Sequence, residues 1–252
     1  PIMGVEDKPI GAVERDFCLR LLGRIGDDHA LQYLKGACEQ PGSMAAVEAL
    51  ANWPTAAPLE TLRGLAKTAQ GGMATQALKG YVRLLGMASE RPKPETVALY
   101  TEALNLAKTP EDRAAVVEGL GATGDAAALP LLYDALADSR QVVAEAAAGA
   151  LGGWPDAAPL ETLAAPARDK NSPLQTTALR GYVRLLGLDQ GRPAEETAAL
   201  YREALGLAPN TDEQKRIMSA VAASENAGGM MLAAEYLEDP ALREEAAVAV
   251  DQ

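Results

Sequence analysis

Apolar positions along this chain return every three to four residues, in windows of ten to fifteen separated by Gly, Pro or short polar turns. Residues 74–88 show the period: Ala74, Leu78, Tyr81, Val82 and Leu85 fall on one face, with Thr75, Lys79 and Arg83 beside it. Read this way, the chain alternates two kinds of helix. Helices A are expected near 28–38, 55–69, 93–108, 125–137, 156–168, 193–208 and 227–238. Helices B are expected near 12–24, 43–52, 73–88, 111–121, 139–152, 173–187, 211–223 and 240–250. Thr109-Pro110-Glu111-Asp112 supports one such boundary, with a hydroxyl N-cap, Pro at the first helical position and acids at the positive helix end. Asp239-Pro240 and Ser172-Pro173 play similar parts. Gly86, Gly121, Gly152 and Gly187 close helices B, where a residue without Cβ can take the left-handed conformation.

The chain repeats itself. Trp53-Pro54 through Gly86 returns as Trp154-Pro155 through Gly187, with about 20 of 34 positions identical. Gly80-Tyr81-Val82-Arg83-Leu84-Leu85-Gly86 matches Gly181-Tyr182-Val183-Arg184-Leu185-Leu186-Gly187, and the same offset maps Tyr100 onto Tyr201. The long period divides into units of about 34 residues, each a helix A, a turn and a helix B. One hairpin cannot bury its apolar face alone, but stacked neighbours can. The expected fold is all-α, a right-handed α-solenoid of about seven stacked helical hairpins. Residues 1–252 are read as a single array with an internal duplication, about 47–137 and 148–238. Longer turns are expected near 88–93 and 188–193, each with Arg-Pro.

Two passages carry a family resemblance. Arg20-Leu21-Leu22-Gly23-Arg24-Ile25-Gly26-Asp27, followed by Ala30-Leu31, resembles the junction where one HEAT repeat's helix B turns into the next helix A. Leu120-Gly121-Ala122-Thr123-Gly124-Asp125 resembles a second copy of it. The Gly-Tyr-Val-Arg-Leu-Leu-Gly phrasing is similar to HEAT-like segments of large multidomain bacterial proteins. The resemblance implies a scaffold architecture and leaves function open, because fold does not imply function. The chain starts at Pro1 rather than Met and stops at Val250-Asp251-Gln252 inside a helical pattern, and is read as a segment of a longer protein.

Composition narrows the function classes. Apolar residues make up 48% of the chain and aromatics 4%, so the core is built of small aliphatic side chains. A formal net charge of −12 argues against nucleic acid, whose binding relies on Lys/Arg clusters. No apolar stretch approaches the roughly 20 residues that span a bilayer. Cys18 and Cys38 sit on successive helices and read as buried thiols, with a disulfide as the alternative. His29 is the single histidine, at a helix start after Asp27-Asp28, where a solvated imidazole is the simpler reading. One His and two Cys make no usual zinc site, so no metal and no cofactor is expected. Acidic pairs such as Glu195-Glu196 and Glu244-Glu245 read as solvated faces. Trp53 and Trp154 read as closing a helix end by packing, and Gly80 and Gly181 as points of close helix approach.

One line of residues suggests a binding site. Aligned on their closing positions, helices B place Arg20, Glu48, Arg83, Glu118, Gly149, Arg184 and Ser219 in register. Alternation of sign over the first four suggests a ladder of ion pairs between repeats, each contributing about 0–1 kcal/mol. Alternation breaks at Arg184. Arg180 lies one turn before it, and Lys79 with Arg83 repeats the pairing. Arg180, Tyr182, Arg184, Lys79 and Arg83 are therefore the candidate partner-binding residues, an anion-accepting patch for an acidic peptide or a carboxylate. The leading reading is a non-catalytic scaffold that binds a protein or peptide on its concave surface. The alternative is a spacer or docking arm within a larger enzyme, and a repeat-fold enzyme is a third, weaker reading.

Overall fold

The computed structural model describes residues 11–40, 43–87, 90–188, 191–224 and 226–251 of the 252-residue chain. Among the described residues, fifteen α-helices and one 3-10 turn make up the regular structure, and no strand occurs. The first seven are α1 (Ala12–Ile25), α2 (Asp28–Cys38), α3 (Met44–Ala51), α4 (Leu59–Thr68), α5 (Gly71–Leu85), α6 (Lys93–Leu106) and α7 (Pro110–Gly121). After the 3-10 turn Ala126–Ala128 come α8 (Leu129–Leu136), α9 (Gln141–Gly152), α10 (Leu160–Arg168) and α11 (Gln175–Leu188). The last four are α12 (Ala194–Leu207), α13 (Thr211–Ala223), α14 (Ala227–Glu235) and α15 (Arg243–Val250). Odd-numbered helices are the expected B helices and even-numbered ones the A helices. Part of each expected long turn, residues 88–89 and 189–190, lies outside the described residues, as do Pro1 and Gln252.

Local chemistry sets the helix ends. Asp27 caps α2 by accepting from Ala30 N at 2.7 Å, and Asn210 caps α13 by accepting from Glu213 N at 2.9 Å. Thr109 Oγ1 accepts from Asp112 N at 3.0 Å, as its position before Pro110 predicts. Helices α4 and α10 each start four residues later than the apolar pattern predicts. The cause is Pro58 and Pro159: proline disfavours helical backbone in the residue before it, so Ala57 and Ala158 stay in a turn.

The expected left-handed helix ends fall elsewhere. Gly86 has φ −74°, whereas the positive φ values belong to Gly26 (73°), Gly71 (59°) and Gly124 (58°). Gly26 and Gly124 are the second glycines of the two matching junctions, each immediately before a capping Asp. An added Cβ there would lie 3.1 Å from Pro54 Cγ and 3.2 Å from Pro155 Cγ, respectively. Gly121, Gly152 and Gly187 sit at close helix contacts instead.

The chain divides into two compact units between Gly119 and Leu120. In the first, α4 packs on α5 as a hairpin, and α1, α3 and α5 pack successively on one another. In the second, α10 packs on α11, and α9, α11, α13 and α15 form the same kind of succession. Each unit buries one of the duplicated tryptophans: Trp53 is 2% exposed and Trp154 1%. Helices α3 and α5 approach through Gly80, where a Cβ would stand 2.5 Å from Ala51 Cβ. Helices α9 and α11 approach through Gly181, where it would stand 2.6 Å from Gly152 Cα. Cys38 is buried, and desolvation pushes its thiol up to about 11, whereas Cys18 is exposed and both are free. Cys18 thus departs from the expectation of two buried thiols, because α1 covers only Leu19.

Candidate functional site

The B helices position the residues expected to bind a partner, and the fold uses most of those residues itself. Arg83, on α5, donates from Nε to Ala51 O at 2.7 Å and from a terminal nitrogen to Trp53 O at 2.5 Å. Those carbonyls close α3, and the last carbonyls of a helix have no partner within it. A cation there also meets the negative end of the helix dipole. Arg184, on α11, does the same for α9, donating to Gly152 O at 3.0 Å and Trp154 O at 2.7 Å. The planar guanidinium reaches two carbonyls at once, which an ammonium on a flexible stem does less well.

Arg180 forms a two-point ion pair with Glu213 at 2.7 and 2.6 Å. Glu213 is buried, and the Arg180 hydrogen bonds hold its carboxyl below the usual range. Tyr182 is 4% exposed and lies beneath the Arg168 guanidinium, 5.8 Å from the ring centroid. A partner approaching that point meets Arg168 rather than the phenol ring, so Tyr182 is not the surface aromatic that its place between two arginines suggests. Lys79 is exposed and makes no hydrogen bond or ion pair among the described residues. Its position matches Arg180, and Asp112 matches Glu213. Asp112, one methylene shorter, instead accepts from Thr75 Oγ1 at 3.5 Å. Of the expected ladder, the first rung forms: Arg20 Nε donates to Glu48 at 3.2 Å. Arg83 turns to carbonyls rather than to Glu118.

Further strongly paired carboxylates lie between A helices. Glu102 accepts from Arg63 at 2.6 Å and faces Lys67 at 2.5 Å, and the Arg63 hydrogen bond leads in drawing its pKa down to about 2. Arg168 holds Glu203 in the same way at 2.7 Å, and Arg202 holds Glu235. A carboxylate lowered by a guanidinium partner is a weaker base than an ordinary one. His29 is exposed in the first turn of α2. Among the described residues, no three His, Cys, Asp or Glu side chains converge to hold a metal ion, and no helix is long and apolar enough to cross a membrane.

An exposed apolar surface on α1 is one that the periodicity of the sequence does not reveal. Helix α1 buries a single residue, Leu19, whereas α5 buries seven. On α1, Val13, Phe17 and Leu21 form a line at four-residue spacing and are 80%, 65% and 47% exposed. Phe17, Leu21, Gly23 and Ala49, with Arg20, Arg24, Glu48 and Asn52, line a groove of about 500 Å³ between α1 and α3. A smaller groove of about 310 Å³ lies between α13 and α15 in the second unit. An apolar line on a helix reads as core in a sequence, so periodicity alone does not separate α1 from its buried equivalents.

Tandem helical hairpins, packed B helix on B helix and closed by Gly-x-x-Gly-Asp junctions, define a helical-repeat protein. Residues 76–152, from within α5 to the end of α9, match the family model for HEAT repeats. That stretch, which includes the second of the two junctions, is similar to HEAT repeats, and the all-helical fold around it is consistent with a helical repeat array. HEAT repeats are generally protein-interaction scaffolds, and the family is typically non-catalytic. No curated protein matches the chain.

Proposed function

We propose that this chain is a non-catalytic scaffold that binds a protein or peptide on the exposed face of its B helices, the concave side in HEAT arrays. The observation that carries the reading is the apolar groove between α1 and α3, flanked by charged side chains and lying on that face. Protein-binding surfaces combine such an apolar centre with a polar rim. The cations along the B helices then divide by role. Lys79 is placed to touch an acidic partner directly. Arg83, Arg184 and Arg180 act as positioning residues that hold successive B helices together while keeping part of each side chain exposed. Tyr182 supports that arrangement from below.

The test is affinity capture from the source cell, read by quantitative mass spectrometry, with two surface variants. Lys79→Glu alters the B face, and Lys35→Glu alters an A helix of the same unit. A partner retained by the wild type and by Lys35→Glu but lost by Lys79→Glu supports the reading. A partner lost only by Lys35→Glu would move the binding surface to the A helices. Retention of nothing specific would favour the alternative role, a spacer or docking arm within a larger enzyme.

A further inference from the structure

The duplication lets the same B-helix face be compared twice within one chain. In the first copy that face carries Glu48 on α3, Lys79 and Arg83 on α5, and Glu118 on α7. The offset that takes Trp53 to Trp154 takes these positions to Gly149 on α9, Arg180 and Arg184 on α11, and Ser219 on α13. Both cations persist and both acids are gone. The same offset puts Arg216 in the place of Ala115. These three changes make the face more positive, in a chain whose net charge is −12. One change runs the other way: Glu145 stands in the place of Met44, and Gln141 donates to it at 2.6 Å.

Packing does not account for the loss of the acids. Glycine weakens a helix interior, and Gly152 and Gly181 are there because α9 and α11 touch through them. A Cβ at Gly149 would meet nothing within 4 Å, so the larger side chain of the first copy would fit. Ser219 is exposed as well.

Within this face the cations outnumber what the fold uses. Arg180 binds Glu213 through Nε and Nη2, which leaves Nη1 without a partner among the described residues, and its side chain is 51% exposed. Glu213 is buried in that contact and offers no acid to the surface. Arg216, one turn further along α13, also acts on the Glu213 carboxyl, so two guanidiniums flank one buried acid. Arg216 is exposed and makes no hydrogen bond or ion pair among the described residues. Glu145 on α9 and Glu244 on α15, where Lys215 holds the adjacent Glu245 at 3.4 Å, confine the positive patch to α11 and α13. A negative chain repels a long polyanion such as nucleic acid, whereas a short segment with a few carboxylates meets mainly the local charge.

We propose that the α11–α13 face takes an acidic segment of a partner protein, with a carboxylate held between Arg216 and the free Nη1 of Arg180. The proposal rests on the reading of the B-helix face as a protein-binding surface, and names the place and the chemistry of the partner.

The test uses a labelled peptide of about ten residues, Glu alternating with Gly, long enough to cross two helices packed about 8–10 Å apart, and its Gln-for-Glu counterpart. Both are titrated with the full chain at low salt and read by fluorescence anisotropy. The Glu peptide is expected to bind and the Gln peptide not to. Arg216→Glu should weaken binding at least about tenfold, as loss of a charge-assisted hydrogen bond does. Gly149→Glu with Ser219→Glu, which restores the acids of the first copy, should also weaken it. Lys170→Glu makes the same charge change as Arg216→Glu on the turn after α10, and should leave affinity nearly unchanged. Melting temperatures should not fall, because all four positions are exposed. The proposal is overturned if the Glu peptide binds no better than the Gln peptide, or if Lys170→Glu weakens it as much as Arg216→Glu. It also falls if a labelled oligonucleotide binds this face more tightly than the peptide, or if sedimentation shows self-association that Arg216→Glu abolishes. A captured partner that depends on Lys79 and not on Arg216 would retain the scaffold and remove only this patch.

Discussion

The segments Trp53–Gly86 and Trp154–Gly187 share most of their sequence, and comparing them shows which contacts the repeat preserves. Both bury the tryptophan, both pass a glycine within van der Waals distance of the preceding helix, and both send an arginine to two carbonyls of that helix. The glycine and the arginine of each copy meet backbone. The A-helix ion pairs are looser: Arg63 and Lys67 together hold Glu102, whereas Ala164 replaces the first and Arg168 alone holds Glu203. A side chain facing another side chain can be exchanged for a different one of similar reach. A side chain facing backbone at fixed distance cannot.

That contrast sets the expected order of effects. Trp53→Ala and Trp154→Ala should each cost about 3–5 kcal/mol, the usual range for emptying a large aromatic site, in chemical denaturation. Unequal losses would show that the two copies are not packed alike. Next come Gly80→Val and Gly181→Val, which push a side chain into a neighbouring helix and should cost about 1–3 kcal/mol. The two losses should be similar, since each Cβ meets backbone of the preceding helix, 2.7 Å from Ala51 Cα at Gly80 and 2.6 Å from Gly152 Cα at Gly181.

The smallest effect is in the ion pairs and depends on pH. Glu102 titrates at about 2 in the folded chain against an ordinary 4.5. A folded pKa below the unfolded one stabilises above the unfolded value, and that stabilisation is lost as pH falls from 4.5 through 2. Glu102→Gln should therefore flatten the stability profile across that window. Glu203→Gln should flatten it less, because one cation rather than two holds a more exposed carboxylate. Equal effects of the two variants on acid unfolding curves would contradict the comparison.

Helix order and most boundaries were legible in the sequence because each depends on local chemistry: apolar period, a capping Asp or Thr, a proline. Helix α13 runs over the predicted residues, Thr211–Ala223. What stayed hidden depends on a neighbouring hairpin. Periodicity places Arg83 and Arg184 on one face but does not reveal that the carbonyls of α3 and α9 end within their reach. It likewise ranks Phe17 with core residues, since exposure depends on whether another helix lies opposite. Gly121 and Gly124 differ in the same way: one serves an approach and the other a left-handed turn, and only the folded backbone separates them.

The measurement that bears most directly on this account is made on Arg184→Ala, following thermal stability and affinity for the captured partner in the same preparation. A lower melting temperature is expected, with the loss of about 1–2 kcal/mol that two charged hydrogen bonds to carbonyls carry. Affinity at a temperature where the variant is folded should be little changed. An unaltered melting temperature with affinity abolished would make Arg184 a contact residue, and would contradict the assignment of Arg83 and Arg184 to holding the scaffold itself.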